Sequence, residues 1–364
     1  MRKFLFVSFT NQLDYSGGTQ CATRNLQALQ DLVGKENVHT FLLHPREGEK
    51  TLRSLVTRFC DILRCYMGAL THQTQQEILH EIRDNHYTDL FIDSSLLGVL
   101  SKQVRNHFPN IHIMTFFHNM EYDFMTSNIK DGKDYLHAFW IPLAKYNEVC
   151  ACKYSDNIIV LNDHDARRVE ELYHRKADAV IPITMKDDYN SVSEAKEMVV
   201  NKRKNALFVG SYFFGNITGL TWFCDKVLPQ TDIHLTIVGA GMDAFKQKVK
   251  GNQQISVFSN VPDLTPYYED ADFVILPITA GGGMKVKTAE ALKYGKYIIG
   301  TREALAGYQV DQETATICST ESDFIEAIQH FDRPFRYNAA SRALFVSHYS
   351  YSHSLTLFKK LIQA

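Results

Sequence analysis

The chain of 364 residues has no apolar stretch of the ~18 residues that a membrane-spanning helix needs. It also has no charge excess: 39 Lys and Arg stand against 41 Asp and Glu, for a net charge of −2. A global positive field that gathers DNA or RNA is thereby excluded, and any anionic ligand must be held by a local site. There is no Cys-x-x-Cys pair, and the seven cysteines are odd in number, with Cys60/Cys65 and Cys150/Cys152 in helical-looking sequence. Reduced thiols in a cytosolic protein are expected, not a disulfide framework. The fifteen histidines fall in no His-Glu-x-x-His or zinc-finger spacing, so no metal site is expected. Low-complexity tracts and short-period repeats are absent. With 45% hydrophobic and 22% charged residues, disorder and a simple coiled coil are excluded as well. The opening Met1-Arg2-Lys3 and its apolar run imitate a secretory signal, but the run is short and meets Thr10-Asn11-Gln12.

At roughly 100–200 residues per domain, the length suggests two domains. Apolar, β-branched and aromatic runs alternate with helical periodicity, which predicts an α/β architecture with mostly parallel sheets. Strands are expected at 3–9, 39–43, 89–92, 111–117, 158–161 and 179–181. After a polar stretch from Lys186 to Asn205, further strands are expected at 206–209, 233–238, 255–258, 273–276 and 297–300. A helix is expected near 220–227, and a helical tail over 338–364. The predicted layout is a first domain over 1–185, a linker over 186–204, a second domain over 205–340 and a terminal segment over 341–364. The stripe Leu52, Leu55, Val56, Phe59, Ile62, Leu63, Tyr66, Met67 and Leu70 reads as a helix facing a domain core, with docking on a bilayer as the weaker alternative. Two such units leave an interdomain cleft, where ligands preferentially bind.

The most informative segment runs from Leu276 through Gly281-Gly282-Gly283-Met284-Lys285-Val286-Lys287 to Glu290-Ala291-Leu292. It follows a strand, so its glycines sit beyond a sheet's carboxyl end, where open α/β folds bind ligands. Glycines let a ligand approach the backbone, and a helix starting near Val286 points free N–H groups and its positive dipole end to the same place. Lys285 and Lys287 oppose that dipole unless an anion is bound. Lys287 and Glu290, three apart, share a helical face. An ammonium for phosphate oxygens and a carboxylate for a sugar diol suit a ribose joined to a diphosphate.

Gly282-Gly283-x-Lys285-x-Lys287-x-x-Glu290-Ala291-Leu292, with Gly295-Lys296 and Ile298-Ile299-x-Thr301, resembles the donor segment of retaining glycosyltransferases of the GT-B fold, family 4. The likeness is to the branch with a Gly-Gly-x-Arg/Lys-x-Lys-x-x-Glu signature. Other segments agree in order. Phe208 to Tyr212 and Asn216 to Leu220 look like the first donor-domain loop, 235–241 its second strand and turn, and Val261 to Asp272 its base-binding region. Gly17-Gly18-Thr19 and His118-Asn119-x-Glu121 are similar to the acceptor-domain glycine loop and its "His-Asn-x-Glu" segment. Val180-Ile181-Pro182 resembles the end of that domain, and Ser350-Tyr351 the start of a terminal helix crossing back to it.

The resemblance implies two Rossmann-like domains facing across a cleft. It implies a donor site of Gly17, Gly18, Ser211, Tyr212, Asn216, Gly239, Val261, Leu264, Gly282, Gly283, Met284, Lys285, Lys287 and Glu290. His118 would touch the transferred sugar or the acceptor, and Thr19 and Glu121 would lie on the acceptor side. The implied activity is retaining transfer of a sugar from a nucleotide-diphosphate donor to a carbohydrate or lipid-linked acceptor in surface polysaccharide or glycan synthesis, with neither metal nor cofactor. The implied place is the cytoplasm, with peripheral membrane contact left open. Gly282 departs from the Glu-x7-Glu pattern of many members, whose first glutamate contacts the transferred sugar, and Asn216 stands where other branches use lysine.

Gly282 also motivates a rival reading, a non-catalytic nucleotide-sugar-binding protein. A second rival is an epimerase on the same fold. Gly239-Ala240-Gly241 lacks the third glycine of a dinucleotide fingerprint and follows the second strand of its domain, which argues against a nicotinamide oxidoreductase. Asp163-His164-Asp165 could hold a metal, but a helix cap at Asn162 or Asp163 is simpler. Asp270-Ala271-Asp272 is a weaker metal candidate still.

Overall fold

The computed structural model describes residues 2–9, 17–44, 52–130, 138–189, 203–332 and 336–363. The chain divides into two compact units, one of Met1–Pro182 with Ser354–Ala364 and one of Ile183–His353. Most of the expected linker, 190–202, lies outside the described residues.

The first unit is built on six parallel strands: β1 (Phe4–Phe9), β2 (Val38–Leu43), β3 (Asp89–Ile92), β4 (His112–Phe117), β5 (Asn157–Val160) and β6 (Ala179–Val180). They lie in the order β2-β1-β3-β4-β5-β6. β1 pairs with both β2 and β3, so Phe4 faces Val38 on one side and Asp89 on the other. The second unit repeats the plan with β7 (Lys204–Val209), β8 (Ile233–Gly239), β9 (Ile255–Ser259), β10 (Phe273–Leu276), β11 (Ile298–Thr301) and β12 (Ala315–Cys318), in the order β12-β11-β10-β7-β8-β9. Central strands such as Phe273–Leu276 are apolar at every position and fully buried, as helices on both faces of a parallel sheet require. The order reverses between β1 and β3 in one unit and between β7 and β10 in the other. At such switch points a crevice opens beyond the carboxyl ends of the strands.

From Ser354 onward the terminal helix Tyr351–Gln363 is part of the first unit's packing: Phe358 is buried with its ring 6.2 Å from that of Phe91, and Arg2 donates to the Ile362 carbonyl. The expected continuous tail is interrupted. A helix at Ala339–Leu344 widens into a π turn at Phe345–Tyr349, and Ser350 is extended because its neighbours bond Met185 in a short parallel bridge. The helix expected near 220–227 starts earlier, at Phe214, and ends in a π turn at Phe223–Val227. β12 was not expected, since it is a short edge strand with a polar approach at Gln312 to Thr314.

The stripe from Leu52 to Leu70 needs correction. The helix stops at Leu63, and Cys65 takes φ 59°, a left-handed turn that swings Tyr66, Met67 and Leu70 into the core. Val56, Phe59 and Leu63 are 55%, 61% and 68% exposed, whereas Asp61 is buried and accepts from the His72 N–H at 3.1 Å. The side chains of Leu52 and Leu55 lie outside the described residues. At Asn162 the cap reading holds, with its side chain accepting from the Asp165 N–H at 2.9 Å. All seven cysteines are free thiols.

Candidate functional site

The second unit gathers charge at its switch point. The helix Val286–Lys293 starts beyond β10 with no side-chain cap, leaving its first N–H groups open. The loop before it turns through Gly281 at φ 137° and Gly283 at φ 60°, conformations that side-chain-bearing residues rarely take. Met284 is buried and anchors the loop. Beyond β7, Gly210 passes so close to the neighbouring polar groups that a Cβ there would lie 3.0 Å from Asn216 Nδ2 and 3.1 Å from Lys287 Nζ. Gly239, at the end of β8, is needed for a similar reason: a Cβ would lie 1.8 Å from the Gly210 carbonyl oxygen.

Lys287 donates to Asn216 Oδ1 and lies 5.2 Å from the centre of the Phe208 ring. Asn216 in turn donates to the Ser211 carbonyl at 2.9 Å. Burial, with the nearby charge of Lys285, pushes the Lys287 ammonium down to about 7, against the opposing pull of Glu290. Glu290 is raised, again chiefly by burial, and accepts from the Tyr268 hydroxyl at 3.0 Å. Tyr268 stacks on Tyr294 at 4.2 Å, and Tyr294 meets the Thr265 hydroxyl at 3.2 Å. These contacts tie the helix carrying Glu290 to the half-buried Val261 and Leu264, which precede Thr265. Lys285 turns elsewhere: its ammonium donates to the Gly283 carbonyl at 2.8 Å, the Gly282 carbonyl at 3.2 Å and Glu303 Oε1 at 2.7 Å. Tyr212, Phe213 and Phe214 are exposed, and the Tyr212 N–H bonds the Ala240 carbonyl at 2.8 Å.

The first unit also collects polar groups at its switch point. His118 follows β4, and its Nε2 lies 3.0 Å from the Asp93 carbonyl and 3.2 Å from Asp93 Oδ1. Asp93, just after β3, is further held by Ser8 at 2.9 Å and Asn25 at 2.8 Å. Burial works against a charged His118, but Asp93 and Cys21 outweigh it and hold the ring well above its usual range. Burial raises Cys21, and Arg24, which donates to its sulfur at 3.0 Å, and His118 together bring it below the usual thiol value. His118 Nδ1 is buried without a hydrogen-bond partner. Glu121 opens the helix Glu121–Lys130, and Gly17, Gly18 and Thr19 open the helix Gly17–Val33. Residues 10–16 before them lie outside the described residues.

Sequence reasoning missed several members. Glu303 stands in no motif, and Tyr268, although inside the segment 261–272 that resembles a base-binding region, is not marked there as a partner of Glu290. Asp93 stood at a strand's carboxyl end, which was a usable signal. Glu148 is buried in the helix Trp140–Tyr154 between Ala144, Ala151 and Cys152, a carboxylate on a stripe whose one other buried polar side chain is Asn147. It accepts from the Glu121 N–H at 2.7 Å and from Tyr173, and burial pushes it up to about 7. Among the described residues no group of three metal-ligating side chains comes together.

Residues 203–331 match the family model described as Glycosyl transferases group 1. The chain aligns over its whole length with solved glycosyltransferase structures. The apo lipopolysaccharide outer core galactosyltransferase WaaB has a TM-score of 0.68 at 12% identity, with 99% of each chain covered. HepE of Anabaena in complex with UDP has a TM-score of 0.69 at 10% identity, also with 99% of each chain covered. The fold is the GT-B fold. An uncharacterised 44.6 kDa protein of the Klebsiella pneumoniae cps region is 28% identical over 145 residues, 35% of this chain and 37% of that protein. The polar cluster at the second unit's switch point falls within the segment that matches the family model. No described helix is long and apolar enough to cross a membrane.

Proposed function

We propose that the chain is a retaining, metal-independent glycosyltransferase of family 4, moving a sugar from a nucleotide-diphosphate donor to a carbohydrate or lipid-linked glycan acceptor. The observation that carries this reading is Lys287. It is an ammonium driven to about 7 by burial, beside an uncapped helix N-terminus and a glycine loop. Such a group gains a full charge when an anion arrives, and the free N–H groups of the helix add to the pull.

As the bond between the anomeric carbon and the diphosphate breaks, negative charge grows on the leaving oxygens. Lys287 and the N–H groups around Met284 meet that charge, supplying the electrostatic stabilisation that a metal supplies in other transferases. Glu290, oriented by Tyr268, accepts from the ribose diol. Val261 and Leu264 frame the base. In the first unit, a protonated His118 offers its Nδ1–H to a sugar or acceptor oxygen, Gly17 and Gly18 let the backbone approach the diphosphate, and Thr19 and Glu121 lie on the acceptor side. No side chain is assigned as nucleophile; the donor's own phosphate receives the proton of the incoming hydroxyl on the retained face.

HepE has been solved with UDP-glucose, and TarM of S. aureus with UDP and α-GlcNAc-glycerol, which supports a nucleotide-sugar donor and a glycan acceptor. The cps-region relative supports a role in surface polysaccharide synthesis. The exposed Val56, Phe59 and Leu63 suit peripheral contact at the inner face of a membrane. The test is a thermal-shift panel of UDP-, GDP-, ADP- and dTDP-sugars followed by a search for slow donor hydrolysis. A shift with hydrolysis is expected for one base. A flat panel ends the reading, and binding without any turnover favours the non-catalytic rival.

A further inference from the structure

Lys285 has three ammonium protons and three acceptors: the carbonyls of Gly282 and Gly283 and the Oε1 atom of Glu303. It serves the glycine loop as a strut, and its positive charge is already matched. Glu303 comes from the turn after β11, between Arg302 and Ala304, and its side chain is 36% exposed. Its second carboxylate oxygen makes no hydrogen bond among the described residues. Because Oε1 and the Gly282 carbonyl oxygen both touch one ammonium nitrogen, they are no more than about 6 Å apart.

The charged side chains around the loop therefore follow one another as neighbours: Glu290, Lys287, Lys285, Glu303. Glu290 and Lys287 interact across one helical face, Lys287 feels Lys285, and Lys285 binds Glu303. A nucleotide sugar presents a ribose diol, a diphosphate and a second polyol in the same order, with Lys287 as the cation for the diphosphate and Lys285 holding Glu303 in line beyond it. The carboxylate at one end is bonded to Tyr268 and faces the ribose. The carboxylate at the other end, with a free and partly exposed oxygen, matches the second polyol. A carboxylate repels phosphate and accepts from hydroxyls, so the diphosphate itself does not account for Glu303.

We propose that Glu303 is a specificity-determining residue of the donor site, accepting hydrogen bonds from hydroxyls of the transferred sugar through the oxygen that Lys285 leaves free. This rests on the nucleotide-sugar reading above. It gives the loop a carboxylate from a different turn, where Gly282 itself has no side chain.

Calorimetry on the full chain with nucleoside diphosphates and the matching nucleotide sugars tests the assignment. For the base that the wild type binds, Glu303→Ala should lower the affinity ratio of nucleotide sugar to free nucleotide by about tenfold, since a hydrogen bond to a charged group is lost. Free nucleotide should change by less than about threefold. Glu303→Gln, which keeps the shape and one acceptor, should lower the ratio by less. An unchanged ratio in both variants overturns the proposal. So does an equal change for free nucleotide and nucleotide sugar in either direction, because Glu303 would then act only as the counter-ion of Lys285. If the wild type binds no member of the panel, the nucleotide reading fails and takes this proposal with it. If the wild type binds and only the ratio is unmoved, this proposal fails alone.

Discussion

The two switch points treat a partly buried base in opposite ways. At β1 and β3 of the first unit, His118 is held protonated by Asp93 and Cys21, so its charge is balanced before any ligand arrives. At β7 and β10 of the second, Lys287 has, among the described residues, the neutral Asn216 as its one hydrogen-bond partner, and burial with the like charge of Lys285 drives it toward the neutral amine against the weaker pull of Glu290. Both positions are equally inevitable from the topology, since a reversal of strand order opens a crevice in each sheet. What differs is who supplies the counter-charge. Inside the first unit it is the protein, and in the second unit it is left to the ligand.

The contrast breaks most visibly at Lys287. Lys287→Ala should weaken nucleotide-sugar binding by about a hundredfold, the loss of a charge-assisted contact in a buried place. The melting temperature should stay within about 2 °C, because the unliganded chain gains little from a desolvated ammonium. Equal affinity in calorimetry would assign Lys287 a structural role and remove the distinction between the two sites.

A pH series sharpens the same point. Without ligand, Lys287 titrates near 7, and a bound diphosphate must raise it, so binding takes up a proton at and above that pH. Affinity should be flat below pH 6 and fall by up to about tenfold per unit from pH 7 to 9. A nucleotide sugar is the right probe, since its diphosphate does not itself titrate there. Calorimetry at pH 8 in buffers of different ionisation enthalpy should show uptake of nearly one proton, and none in Lys287→Ala. Uptake of the same size in the variant would place the titrating group elsewhere.

Glu290→Gln should cost less, about tenfold for a ribonucleotide and almost nothing for its 2′-deoxy counterpart, because only the diol needs the carboxylate. Loss of thermal stability with no change in affinity would make Glu290 a partner of Tyr268 and nothing more.

How much of this contrast the residues disclose depends on its physical origin. The strand–glycine–lysine–glutamate order around 276–292 is local, so strand, loop and helix could all be read from one segment, and the structure places Phe273–Leu276 and Val286–Lys293 accordingly. Pairings between distant turns leave no such trace. Glu303 reaches Lys285 across eighteen positions, and Tyr268 reaches Glu290 across twenty-two. The same holds for Asp93 and His118, which β3 and β4 bring together only because they are neighbours in the sheet. The stripe at 52–70 misled for a related reason. Helical spacing shows which residues share a face, while the left-handed turn at Cys65 decides which of them reach the core.

The smallest expected effect tests the first unit's half of the contrast. Asp93→Asn removes the charge that opposes the desolvation of His118, so the ring should lose its extra proton affinity, dropping by more than about one unit in an NMR titration. The sign follows from the cycle: a folded-state value raised by Asp93 stabilises the fold below the ordinary histidine range, and that contribution disappears as pH rises through the raised value. Asp93→Asn should therefore lose stability at pH 6 relative to the wild type and approach it in alkali. Affinity for the free nucleoside diphosphate should change by less than about twofold, since the counter-charge in that unit is internal. A tenfold loss of affinity instead would mean that the His118 charge also serves the diphosphate, and the contrast between the two switch points would fail.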